Sequence, residues 1–98
     1  MNDPIKKAYD IASIRKNIQE REQMINDYQM TRRLDRDKAI SKIQELRITN
    51  ENVAAVTAVK LSQYSVPLSQ VSDENIVAEL KLQMDILSAE LAKELSEQ

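Results

Sequence analysis

Ninety-eight residues with a net charge of −2, no glycine, no cysteine and no histidine leave room for one small domain and for little chemistry. Without cysteine or histidine there is no disulfide framework, no thiolate nucleophile and no zinc site of the usual kind. Without glycine there is no phosphate-cradling loop and hardly a tight β-hairpin turn, so the composition favours long helices joined by a few relaxed connections.

The first helix starts at Asp3-Pro4, where aspartate is a favoured N-cap and proline suits the first helical position. Beyond it Ile11, Ile14, Ile18, Ile25 and Tyr28 fall at steps of three and four, a coiled-coil-like seam interrupted only at Arg21. Arg21 is expected to mark a point where the helix meets water; the alternative is a polar seam residue that fixes register. Ile5, Ala8, Tyr9 and Ala12 form a second, short apolar stripe on roughly the opposite side. The seam loses its rhythm over residues 31–38, but no proline, glycine or asparagine marks a turn there. One helix over about 4–48 is therefore expected, with a fold-back at this point as the alternative.

Ile48-Thr49-Asn50-Glu51 is the next boundary, with Thr49 as cap and Ile48 placed to staple onto Val53. A Val- and Ala-rich helix over about 50–63 follows, and then a linker over about 64–72, where Pro67 cannot continue a helix. The last helix, about 73–96, opens with Ser72 as N-cap, Asp73 and Glu74 in its first turn, and Val71 positioned to pack on Ile76. Its broad stripe runs from Ile76 and Leu80 to Leu87 and Leu95, and Leu82 and Ile86 form a second, narrow one. The fold class is all-α: a single domain over 1–98, an elongated helical hairpin or open three-helix bundle with coiled-coil-like seams.

Charge is unevenly spread. Arg32, Arg33, Arg36 and Arg47 make the middle basic, whereas residues 49–98 hold eight acidic side chains against three lysines. Were residues 32–47 one helix, those four arginines would form a ridge opposite Ile40, Ile43 and Leu46, suited to phosphates or to an acidic protein surface, the chain's own C-terminal half included. No helix-turn-helix signal or row of stacking aromatics accompanies the ridge, which ranks nucleic acid behind protein as its partner.

Catalysis has almost no inventory to draw on, and no cofactor, metal or small-molecule substrate is expected. The charged start Met1–Lys7 has no secretory pattern and the longest apolar run, Val53–Val56, is too short for a bilayer. A cytoplasmic protein without membrane contact is expected. The surplus stripes point to function: burying Leu82 and Ile86 alone is worth ~3–5 kcal/mol, and a partner surface is the natural cover. The sequence therefore reads as a non-enzymatic helical protein–protein interaction module: an adaptor, an assembly chaperone or a phage-type inhibitor of a larger complex. Its candidate contacts are Leu82, Ile86, Ile5, Tyr9 and the linker residues Val66, Pro67 and Leu68. The alternative is a nucleic-acid-binding regulator using the arginine ridge.

Overall fold

The computed structural model describes residues 3–60 and 67–97. Asp3 begins the first helix as its sequence implies, its Oδ1 accepting the Ile5 amide at 2.9 Å, and α1 runs Pro4–Thr31. The helix stops there, which corrects the expectation of one helix over 4–48. Arg32 adopts a left-handed conformation, φ 58°, and its amide bonds the Tyr28 carbonyl at 2.7 Å. Thr31 Oγ1 accepts the Arg33 amide at 3.1 Å and donates to the Asp27 carbonyl at 2.7 Å, so a hydroxyl steadies the turn that glycine usually makes. Asp35 then caps α2, Arg36–Thr49, by accepting the Lys38 amide. Leu34, within the turn, packs on the main core and rewards the reversal.

At the next boundary the cap is Asn50 rather than Thr49. Its Oδ1 accepts the Val53 amide at 3.0 Å and starts α3, Glu51–Lys60, while the Thr49 hydroxyl donates back to the Glu45 carbonyl. The Ile48 staple does not form: Ile48 is 85% exposed, and Val53 turns inward to Leu46 and Leu87. The expected third-helix residues 61–63 and linker residues 64–66 lie outside the described residues. From Pro67 the linker makes one 3-10 turn, Leu68–Gln70. Ser72 then caps α4, Asp73–Ser96, through the Asn75 amide, with Val71 and Ile76 buried in one cluster as the spacing predicts.

The result is an all-α bundle. α4 is its central member: α1 lies against it antiparallel, Met24 and Ile25 meeting Ile76, Val77 and Leu80 while Ile14 and Ile18 meet Leu87. α2 runs beside α4 in the same direction, with Arg36 at Asp73, the Ile43 carbonyl at Gln83 and Asn50 at Glu90. Aliphatic and methionine side chains build two adjoining cores, one around Ile43, Ile76 and Leu80, the other around Leu46, Val53 and Leu87.

Arg21 does not meet water, contrary to the expectation from its place in the seam. It is 1% exposed and joins three helices. Its Nε donates to Gln83 Oε1 of α4 at 2.9 Å, its Nη2 to the Lys42 carbonyl of α2 at 2.9 Å, and its Nη1 to the carbonyl and side-chain oxygen of Asn17 at 3.0 and 3.1 Å. Gln83, itself fully buried, donates its amide to the Ile43 carbonyl at 3.0 Å. Every heavy atom that carries a guanidinium hydrogen thus has an acceptor, which makes burial of the charge tolerable. Burial pushes the Arg21 guanidinium below its ordinary value, and the negative charges of Glu20 and Glu45 oppose that shift; arginine remains cationic regardless.

Beside this hub Glu20 forms an ion pair with Lys42 of α2 and a longer one, 4.0 Å, with Lys16. Its Oε2 is screened from water and receives no other bond among the described residues. Hydrogen bonding by the Lys42 ammonium holds the Glu20 carboxyl below the usual carboxylate range, with partial burial pulling the other way. A carboxyl more acidic in the folded state stabilises the fold above its unfolded pKa, and that stabilisation is lost as pH falls through the folded value. Lys42→Met is therefore expected to flatten the acid limb of the stability profile, with thermal melts between pH 7 and pH 3 as the check. A variant whose acid limb keeps the wild-type slope contradicts the pairing.

Candidate interaction surface

Because Arg21, Ile25 and Ile11 are drawn into the bundle, the opposite side of α1 is left in water. Ile5 and Tyr9 are 81% and 73% exposed, and Ala8 and Ala12 between and beyond them are exposed as well. The polar hub matters here: directional bonds from Arg21 to α2 and to α4 set the roll of α1 about its axis, and with it which face meets solvent. Tyr9 and Ala12 line an open groove between α1 and α2 together with Lys16, Glu20, Lys42 and Glu45. The groove is rimmed by both signs of charge.

The other expected contact residues are dispersed. Leu82 and Ile86 are half-buried, and Ile86 already packs on the cluster of Leu46, Val53 and Leu87, so this second stripe is partly covered from within. Leu68 packs on the main core and Pro67 is exposed; Val66 lies outside the described residues. The bundle therefore does not bring the linker or Leu82 together with Ile5 and Tyr9 as one patch of described contacts. Met30, at the far end of α1, is 84% exposed and had no place in the sequence reading, although it lies on the same side of the helix as Ile5.

The arginine ridge is corrected. It presupposed one helix, and the turn at Arg32 and Arg33 separates both from α2, on which Arg36 and Arg47 share a face. Arg36 pairs with Asp73 and donates to the Ser69 and Val71 carbonyls at 3.0 and 2.8 Å, tying α2 to the linker. Arg47 sends Nε and Nη2 to one oxygen of Glu79, at 3.1 and 2.8 Å, and Glu79 is 3% exposed. The basic middle and the acidic C-terminal half do attract each other, within the fold. Of the four arginines, Arg32 and Arg33 alone remain exposed.

Among the described residues no helix is long and apolar enough to cross a membrane, and no three acidic side chains converge as a metal site does. No protein-family model matches the chain, and neither a curated protein nor a solved structure does.

Proposed function

We propose that this chain is a non-enzymatic helical interaction module that acts by presenting the outer side of α1 to a protein partner. The observation that carries the reading is the exposure of Ile5 and Tyr9, 81% and 73%, side by side on a helix whose roll is fixed by a buried guanidinium. Two large apolar side chains adjacent on one helix face lose about 1.5–3 kcal/mol each in water relative to full burial, and helix-in-groove or helix-on-helix docking recovers it. Adaptor, assembly chaperone and inhibitor of a larger complex are roles that share this one physical act. The nucleic-acid alternative loses support, because Arg36 and Arg47 are engaged by carboxylates of the same chain.

The test uses Ile5→Glu with Tyr9→Glu, two exposed positions where charge does not disturb the core. Affinity capture from the source cells is expected to retain a stoichiometric protein with the wild-type chain and to lose it with the variant, whose helicity by circular dichroism is unchanged. A variant that keeps its partner removes this surface from the function. A wild-type chain that stays monomeric and retains nothing overturns the module reading altogether.

A further inference from the structure

The outer face of α1 has a second heptad pattern that reaches far beyond the short apolar stripe at its start. From Ile5, alternating steps of four and three residues lead to Tyr9 and Ala12 and, at the other end of the helix, to Met30. The rungs between them, on the same spacing, are Lys16, Gln19, Gln23 and Asn26. All of these are exposed, and at 100° per residue they fall within an arc of about 100° over some 38 Å of helix. In a chain of which 31% of residues are charged, one of these eight rungs is charged, Lys16, and Asp27 lies at the edge of the same arc, where it accepts from Gln23. The face is apolar at both ends and amide-bearing in the middle, a seam with polar register-setting rungs.

We infer that this face is the contact of an antiparallel homodimer, α1 lying along α1 of a second copy. This rests on the interaction-module reading and names its partner. The seam is its own complement when one copy is reversed: Ile5 falls opposite Met30, Tyr9 opposite Asn26, Ala12 opposite Gln23 and Lys16 opposite Gln19. A two-fold axis between residues 17 and 18 generates every pairing, as a closed isologous contact requires. The flanking positions agree. On one side of the seam Arg15 faces Glu22 of the second copy, and on the other Lys6 faces Asp27, each pair occurring twice by symmetry. Parallel pairing fails on the same residues, since it sets Lys16 against Lys16 and brings Glu22 beside Asp27. Polar central rungs make the association modest in strength but definite in register and direction.

Sedimentation velocity over a concentration series is expected to show a monomer–dimer equilibrium for the wild-type chain. Arg15→Glu places two like-charge contacts in the seam and is expected to weaken the dimer roughly tenfold, as is Glu22→Arg, and the two together restore it to within about threefold. Direction is read independently by cysteine. The chain has none of its own, so a mixture of Ile5→Cys and Met30→Cys chains is expected to form the mixed disulfide, while Ile5→Cys alone does not link to itself. Monomer at every concentration overturns the homodimer and leaves the module reading to the capture experiment. A dimer indifferent to the charge swap, or one in which two Ile5→Cys chains link to each other, overturns the antiparallel seam.

Discussion

Arg21→Met is expected to lower the unfolding free energy by about 3 kcal/mol, read from urea denaturation. That is a large share of the ~5–15 kcal/mol typical of a small domain. Methionine fills much of the volume that the arginine stem occupied, so the loss is not mainly a cavity. It is the removal of four hydrogen bonds and the stranding of Gln83 Oε1, an acceptor closed off from solvent. The Lys42 and Asn17 carbonyls suffer less, since they lie within helices. Gln83→Leu added to Arg21→Met removes the stranded acceptor and is expected to recover much of the loss, giving a coupling of about 1–3 kcal/mol in a double-mutant cycle. Simple additivity of the two changes would show that the hub does not act as a unit.

Arg47→Met is expected to be at least as damaging, about 3–5 kcal/mol, because of what it leaves behind. Glu79 is 3% exposed, and among the described residues its side-chain bonds are the two from Arg47 to one oxygen. A carboxylate left there without its cation is cut off from water and has no other counter-charge among the described residues. Replacing both residues, Arg47→Met with Glu79→Leu, is expected to return stability to the wild-type value or above it, since a buried pair often adds little over well-packed apolar side chains. Thermal melts of the two singles and the double distinguish these outcomes. A harmless Arg47→Met would mean that the pair is effectively solvated and that the other contacts between α2 and α4 suffice to hold them together.

These two arginines also show what the chain discloses as a sequence and what it withholds. Helix starts were legible at Asp3-Pro4 and Ser72 because a cap is a local event, settled by residues within one turn of each other. The break at Arg32 was not, because a left-handed residue other than glycine has little local signature; the tertiary fit of Leu34 sustains it. Thr49 was the expected cap, but its hydroxyl bonds back to the Glu45 carbonyl, and the neighbouring Asn50 takes the role. Arg21 was read as facing water because its partner is 62 positions away. A signal was present nonetheless: Gln83 borders the apolar stripe of α4 between Leu80 and Leu87, as Arg21 interrupts that of α1, and polar residues on facing apolar stripes tend to find each other. For the interaction surface, Ile5 and Tyr9 were legible as surplus apolar residues. Met30 was not, because Lys16, Gln19, Gln23 and Asn26 separate it from the apolar residues at the start of the helix.

Oxidation of the two methionines of α1 tests most directly the claim that one side of this helix is locked inward and the other offered outward. Hydroxyl-radical labelling at a dilution where the protein is monomeric, read residue by residue by mass spectrometry, compares Met24, 6% exposed, with Met30, 84% exposed, six positions apart on the same helix. Rapid oxidation of Met30 with Met24 protected until the protein unfolds is the expected result. Equal rates at the two, or protection of Met30 instead, would contradict the inward lock at Arg21 and the outward surface that depends on it.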